Sequence, residues 1–363
     1  MFKCAVIIVL TFFYFTPLRL TAQYSNKQID SLINSTAQNY RQEGKWYEGL
    51  LLFNNILQAS RENNYQKGIV ESCINLANFY YLMGNSTASI QQLDTAIAAS
   101  NGLTNKILEQ RIYSELGKNY FHINQTKKAE EYLKKALSIA AEIKEEQPRL
   151  RNIQYIYAIL ATVYEKNNNI SMFYFSLEKA YHTLPNPILA SRMTKYYLIY
   201  NKNLDSARTY IEKANKMWES GSYPVHQKSI MLRNEGLYHF IIEEYNKAAE
   251  RYKESIIISK SLGNKEEEAA TYKMLSQVHE KLKNPKAQDT ALRISLLIAD
   301  TILKDIAVAE KLPAVASTLR TKEPVKRPLV KKKDSKLWWY LAIIISISLS
   351  AISVFYYKLR KRK

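Results

Sequence analysis

The side chains that could do chemistry are few in this 363-residue sequence, and they lie far apart. Histidine and cysteine often ligate metals or act as bases and nucleophiles. The chain has His122, His182, His226, His239, His279, Cys4 and Cys73. Sites of these kinds need fixed spacings, but no HExxH, CxxC, Walker A, GxGxxG or GxSxG pattern occurs. The sequence therefore predicts no catalytic residues, no metal site and no cofactor, and the chain is not expected to be an enzyme.

Two of the histidines have a structural explanation. His239 and His279 are 40 residues apart and occupy a position that earlier segments fill with Tyr80, Tyr120 and Tyr164. We therefore expect both to be aromatic-sized residues that pack between helices. Cys73 has no second cysteine nearby and is expected to be a small buried residue.

The charge of the chain is concentrated near its ends. Fifty-two Lys and Arg against 33 Asp and Glu give a formal net charge of +19. Residues 313–363 hold 13 of the basic residues and only two of the acidic ones. The rest of the chain carries the mixed charge of an ordinary solvated surface, so the composition does not favour a nucleic-acid partner.

The first 23 residues have the features of a secretory signal. Lys3 precedes the apolar run CAVIIVLTFFYFT, and the small-residue segment around Ala22 follows. This run is too short to span a membrane comfortably, but it suits the apolar core of a signal peptide. Residues 1–23 are therefore predicted to be a signal peptide that is removed after Ala22 or Gln23.

The C-terminal region is predicted to contain a membrane anchor. Residues 337–357 read LWWYLAIIISISLSAISVFYY, an uncharged run of 21 residues with aromatic residues at both ends. This is the pattern of a transmembrane helix with two interfacial aromatic belts. A Pro- and Lys-rich linker, residues 313–336, precedes the run, and a basic tail, residues 358–363, follows it.

The flanks of the predicted span give opposing indications of its orientation. The tail has five basic residues, which favours a cytoplasmic tail, but the linker has eight, which favours the reverse. We give the signal peptide more weight than the flanking charges, because a chain that is exported from its N-terminus stops at the apolar run. We predict a single-pass protein of the cell inner membrane, with residues 24–312 in the periplasm and the tail in the cytoplasm. The linker lysines are expected to contact anionic lipid headgroups.

The region between the two ends is repetitive. The segments LANFYYLMGN, LGKNYFHINQ and LATVYEKNNN begin at Leu76, Leu116 and Leu160 and share a leucine, a small residue and a later aromatic residue. Each is followed by a second amphipathic stretch, such as Ala129, Leu133 and Ala136 after the second segment. Small residues allow two helices to cross closely, so the pattern predicts helix pairs.

This pattern resembles the tetratricopeptide repeat (TPR), whose first helix carries Leu-Gly/Ala-x-x-Tyr and whose second carries Ala-x3-Phe/Tyr/Leu-x2-Ala. The resemblance covers roughly residues 25 to 300 and implies an all-α, right-handed helical-repeat solenoid of about seven helix pairs. The small position of the first helix is assigned to Ala37, Ala77, Gly117, Ala161, Lys195, Gly236 and Ser276.

The second helices are assigned in the same register. Their packing positions are Gly49/Phe53/Ile56, Ser89/Leu93/Ala96, Ala129/Leu133/Ala136, Phe173/Leu177/Ala180, Ala207/Ile211/Ala214, Ala248/Tyr252/Ser255 and Gln288/Leu292/Ser295. Two positions depart from the repeat pattern, because Lys195 replaces a small residue and Gln288 replaces an alanine.

A TPR array binds its partners along the groove that its first helices line, and the resemblance therefore implies which residues form the groove. These are Asn78, Tyr81, Arg111, Ser114, Lys118, Phe121, Tyr155 and Thr162. Asn, Arg, Lys and aromatic side chains suit the binding of an extended peptide. The same residues could instead be ordinary exposed side chains of long helices. The family's carboxylate clamp is not predicted, because Ile74 stands where it needs a basic residue before Asn78.

Two functions from different classes remain. The first is a membrane-anchored, extracytoplasmic TPR scaffold that binds a protein or peptide partner and has no activity of its own. The second is the sensor component of a transmembrane signalling system whose output domain is supplied by a partner. The chain is similar to the exported repeat array of Bacteroides-type TPR regulators, but only six residues follow the predicted span, so we expect it to be without their cytoplasmic output domain.

Overall fold

The computed structural model describes residues 24–311. The predicted signal peptide, linker, membrane span and tail lie outside these residues. Within residues 24–311 no helix is both long enough and apolar enough to cross a membrane. The regular elements of this range are fourteen α-helices and one short π-helix.

The helices are connected by short turns, which makes successive helices antiparallel neighbours. Their bounds are α1 Asn26–Gln42, α2 Trp46–Glu62, α3 Gln66–Leu82, α4 Ser86–Ser100, α5 Lys106–His122, α6 Thr126–Ala141, α7 Glu146–Lys166, α8 Ile170–Thr183, α9 Pro187–Tyr196, the π-helix Tyr197–Asn201, α10 Leu204–Ser220, α11 His226–Ile241, α12 Tyr245–Ser261, α13 Lys265–Lys281 and α14 Pro285–Lys311.

The helices form seven pairs, which we call units 1 to 7, from α1–α2 to α13–α14. The even-numbered helix of each unit also packs against the odd-numbered helix of the next, and odd-numbered helices of neighbouring units touch, as α3 touches α1 and α5. The all-α solenoid of seven helix pairs predicted from the sequence is confirmed for the described residues.

The turn inside each unit ends its first helix in the same way. One residue adopts a positive φ, in order Gly44, Gly84, Asn124, Asn168, Lys202, Glu243 and Lys283. The next backbone N–H then donates to a carbonyl of the last helical turn, as Asn85 N does to Tyr80 O at 2.8 Å. This is a Schellman-type end, and it fixes the direction in which the second helix leaves.

The predicted small positions lie where the two helices of a unit cross. Ala77 and Ala161 are fully buried, and Gly117 and Gly236 are buried as well. A Cβ atom on Gly117 would lie 2.5 Å from Leu133 Cγ, and one on Gly236 would lie 2.5 Å from the Tyr252 ring. The side chains of the second helices thus fill the space that the small residues leave.

The assignment of Lys195 as the small position of unit 5 is wrong. Thr194 is fully buried there, whereas the Lys195 side chain remains 35% exposed and pairs with Glu165. The reason is the π-helix, whose wider turn accommodates one extra residue before the left-handed residue Lys202. Asn203 N therefore donates to Tyr197 O, six residues back, instead of five as in the other units.

The packing face assigned to the second helix of unit 7 is also only partly right. Ser295 is buried, but Leu292 is 39% exposed, and Ala291 is the buried apolar residue of α14. In units 1 to 6 the second helix lies between two first helices. Since the described chain has no eighth unit, α14 packs against α13 alone.

Candidate functional site

Polar side chains of neighbouring odd-numbered helices meet on one face of the array, which we call the inner surface. Lys118 of α5 is central to its first half. Its ammonium donates to Asn78 Oδ1 at 3.1 Å, forms an ion pair with Glu115 and lies 4.3 Å from the centroid of the Tyr81 ring. Three of the predicted groove residues, Asn78, Tyr81 and Lys118, are therefore brought together.

Tyr155 of α7 joins this group through its hydroxyl, which donates to Glu115 Oε1 at 3.4 Å. The residue is 39% exposed, yet burial, followed by the charge of Glu115, raises its pKa well above the ordinary value for tyrosine. The Tyr155 side chain is thus accessible to water and is also surrounded by protein atoms at longer distances. This combination is expected on a narrow concave surface.

Two arginines beside this group lie within each other's electrostatic field. Arg41, at the end of α1, donates to Asn75 Oδ1 at 3.1 Å and has no carboxylate partner within the described residues. Burial lowers its pKa, the positive charge of Arg111 lowers it further, and the negative charge of Glu115 opposes the shift. The Arg111 side chain makes no hydrogen bond or ion pair with any described residue.

An acidic residue lies close to this arginine pair without neutralising it. Burial raises the pKa of Glu71, and the charges of Lys67 and Arg111 oppose that shift. Arg111 therefore lies in the field of a carboxylate with which it forms no ion pair. The pair is a concentration of positive charge that could accept an anionic group.

The inner surface also brings distant units towards each other. Burial raises the pKa of Tyr81 to about 12, and the charges of Glu115 and of Glu266 add to the effect. Glu266 belongs to α13 of unit 7 and Tyr81 to α3 of unit 2, so the carboxylate of Glu266 lies near enough to Tyr81 to act on it. A ligand of modest length could therefore contact both halves of the array.

Units 4 and 5 meet through long polar side chains on this surface. The guanidinium of Arg192 on α9 donates to Ala158 O at 2.8 Å and to Thr162 Oγ1 at 3.0 Å on α7. Lys195 Nζ donates to Glu165 Oε1 at 2.7 Å. Burial lowers the pKa of Arg192, which has no carboxylate within hydrogen-bond distance among the described residues.

Two of the predicted groove residues lie apart from this group. Ser114 is 1% exposed and accepts a hydrogen bond from the Gln110 side chain, so its hydroxyl is internal. Phe121 is half-buried against the core of units 3 to 5, and the Lys166 ammonium lies 4.8 Å from its ring centroid.

The predicted groove did not include Arg41, Glu71, Glu115 or Arg192, which are central to the inner surface. Glu115 lies two residues before the small position Gly117, and Arg41 lies four residues after Ala37. A charged residue within about one helical turn of a small position is the signal that could have identified both.

Two of the histidines of the described chain lie among other side chains between helices. His122 Nδ1 lies 2.9 Å from Ser86 Oγ, and its ring packs edge-on against Tyr81. His279 lines a cleft of about 390 Å³ between α13 and α14 together with Tyr272, Leu275 and Ile294. Within residues 24–311 no three His, Cys, Asp or Glu side chains are placed to hold a metal ion.

Comparison with known proteins identifies the repeat type. Residues 69–142, which fall in units 2 and 3, match the tetratricopeptide repeat family. No curated protein matches the sequence. Together with the seven helix pairs, this match shows a TPR-type helical repeat architecture.

Two solved structures share this fold at low sequence identity. The Rap conjugation gene regulator of the plasmid pLS20, in complex with a Phr peptide, is 14% identical, with 81% of this chain and 80% of that chain covered and a TM-score of 0.57. A signal-transduction ATPase with numerous domains and a tetratricopeptide repeat sensor, from Pyrococcus horikoshii, is 16% identical, with 78% of this chain covered and a TM-score of 0.52. The chain spans 43% of the length of that ATPase.

Proposed function

We propose that this TPR-type array is a non-catalytic scaffold that binds a protein or peptide partner along its inner surface. The partner lies against Tyr81, Lys118 and Tyr155 in an extended conformation and places an acidic group between Arg41 and Arg111. Aromatic rings and basic groups along a concave helical surface can hold a peptide without regard to much of its sequence.

One observation carries this proposal: the guanidinium groups of Arg41 and Arg111 lie in each other's field without a carboxylate partner among the described residues. Two like charges that are partly removed from water raise the energy of the unliganded protein. A carboxylate between them would relieve that repulsion and accept charge-assisted hydrogen bonds from both. The Rap regulator, which has the same fold and was solved with a peptide, supports a peptide as the ligand class.

The test is a binding assay on the full-length chain with an array of short immobilised peptides. We expect the bound peptides to be enriched in Asp and Glu. The Arg111→Gln variant should bind them about tenfold more weakly, because a hydrogen bond to a charged group contributes about 1.5 kcal/mol or more.

Lys127→Gln is the matched control, because it removes one positive charge from an exposed position on α6. It should bind as the unaltered chain does. Equal losses in the two variants, or a preference for peptides without acidic residues, would rule the proposed anion contact out.

We further propose that the scaffold is exported and anchored in the membrane, with the array in the periplasm. The support for this comes from the apolar runs at residues 1–23 and 337–357 and from the linker between array and span. Contact of the linker lysines with anionic lipids belongs to the same proposal.

A sensor role is the second candidate, favoured by the approach of unit 7 to unit 2. A ligand that contacts both halves of the inner surface binds most tightly to the conformation in which the distance between these units fits its length. Binding therefore increases the population of that conformation of the array. In this role a partner would supply the output domain.

A further inference from the structure

The last helix carries an exposed apolar stripe beside the face that packs on α13. The helix α14 has 27 residues, and its exposed stripe consists of Leu292, Leu296, Ala299 and Leu303. The three leucines are 39%, 60% and 67% exposed. Their spacing of four, three and four residues is the heptad spacing of a helix that packs against another helix along a seam.

The neighbouring side of α14 already has its partner. Ala291 and Ser295 are buried, and the Ser295 hydroxyl donates to Ala269 O of α13 at 2.8 Å. The leucine stripe is therefore additional to the packing that holds α14 in unit 7. No helix of the described chain lies against the stripe.

Charged residues follow the stripe on one flank only. Arg293 and Asp300 each directly follow a stripe residue, Leu292 and Ala299, and both are exposed. Asp300 pairs with Lys304 on its own helix, whereas Arg293 has no ion pair within the described chain. The other flank, which carries Gln288, the buried Ser295 and Ile302, has no charge and adjoins α13.

We propose that the stripe is the contact through which two copies of this chain associate, with their α14 helices antiparallel. In an antiparallel pair, Leu292 of each copy packs on Leu303 of the other, and Leu296 packs on Ala299. The charged flanks then face each other in reverse order, so Arg293 of each copy lies opposite Asp300 of the other.

This self-complementarity is why a second copy fits better than an unrelated partner. In a two-fold symmetric dimer both copies use the same patch. Each copy contributes one Arg293 that is unpaired in the single chain, so the dimer gains two intermolecular ion pairs. A parallel pair would instead set the charged flank against the uncharged one. Because the stripe covers only about three helical turns, the interface is smaller than that of a permanent dimer, and we expect a reversible association at micromolar concentration.

The first test is the mass of the purified full-length chain in detergent, measured by sedimentation across a concentration series. The Leu303→Asp variant should dissociate at least tenfold more readily than the unaltered chain. Ile257→Asp is the matched control, since Ile257 on α12 is also 67% exposed and lies off the stripe, and it should leave the association unchanged. Circular dichroism checks that both variants keep their helical content.

A charge exchange tests the direction of pairing. Arg293→Asp should weaken association about tenfold, and the double variant Arg293→Asp/Asp300→Arg should recover most of it, because the opposite charges then face each other again. Failure of the double variant to recover contradicts the antiparallel arrangement.

Cross-linking gives a second reading of the same geometry. Two chains with different tags, one carrying Leu296→Cys and the other Ala299→Cys, both in a Cys4→Ser background, are mixed under oxidising conditions. Antiparallel pairing predicts disulfides between the two tagged chains and few between identical ones. The proposal is overturned by the reverse pattern, or by a chain that stays monomeric at every concentration.

Discussion

At the scale of single residues, burial changes the protonation of side chains that look unremarkable in the sequence. Burial lowers the pKa of His279, and the positive charge of Lys253 lowers it further. His279 occupies the position that Tyr80, Tyr120 and Tyr164 fill in other units, four residues before the left-handed residue of the turn. Unit 7 therefore has a titratable ring where three other units have a neutral one.

This difference predicts a pH dependence of stability. The unfolded chain binds a proton at His279 near pH 6.5, whereas the folded chain binds it only at lower pH. The contribution of the neutral ring is therefore complete above about pH 6.5 and is lost as the pH falls from there through the folded pKa. We expect His279→Tyr to reduce the drop in the urea midpoint between about pH 7.5 and pH 5.5.

The control is His182→Tyr, because His182 is exposed on α8. It should leave the pH dependence as it is in the unaltered chain. The explanation fails if the His279→Tyr chain loses as much stability on acidification as the unaltered chain does.

At the scale of helices, the close crossing inside each unit depends on a matched pair of residues. Ala77 and Leu93 occupy these positions in unit 2, and Ala161 and Leu177 occupy them in unit 4; all four are buried. Unit 3 combines Gly117 with Leu133. In unit 6 the second helix supplies the larger Tyr252, and the first helix supplies Gly236, which has no methyl group.

We predict that Gly236→Ala destabilises the array by about 1–3 kcal/mol, because the new methyl group meets a Tyr252 ring that is 1% exposed. The double variant Gly236→Ala/Tyr252→Leu should be more stable than the sum of the two single effects implies, since it recreates the pairs of units 2 and 4. Urea unfolding of the four chains in this cycle measures the coupling. Strict additivity would show that the two residues do not compete for the same space.

The helix pairs and their turns could be predicted from the sequence, whereas the π-helix and part of the inner surface could not. Small residues and turns recur with the repeat, so the helix pairs could be predicted from local pattern alone. The π-helix could not, because Lys195 fits the spacing and only the geometry of the turn at Lys202 reveals the extra residue. The inner surface was predicted in part: Asn78, Tyr81 and Lys118 converge, but Arg41 and Glu115 depend on contacts between units, which a one-unit pattern does not contain.

At the scale of the whole molecule, the proposed function depends on which side of a membrane the array occupies. The predicted signal and span favour an array outside the cytoplasm, while the basic linker at residues 313–336 favours the opposite side. This conflict makes topology the decisive measurement for the search for partners.

We expect added protease to degrade the array once the outer membrane of the cells is made permeable. A tag placed after Lys363 should remain protected, and the mature N-terminus should lie near Gln23 or Tyr24. As an internal control, breaking the inner membrane should expose the tag. An array that is protected until the inner membrane is broken would mean that the linker charges override the signal and that partners belong to the cytosol.

The π-helix of unit 5 has a consequence for how a chain of this kind can change over time. One extra residue in a densely packed globular core displaces everything that follows it. Here the wider turn absorbs the residue, and the left-handed Lys202 restores the register, so units 6 and 7 keep the turn geometry of units 1 to 4. An array built in this way tolerates single-residue insertions during evolution. Each insertion changes one turn, and the packing within the other units stays intact.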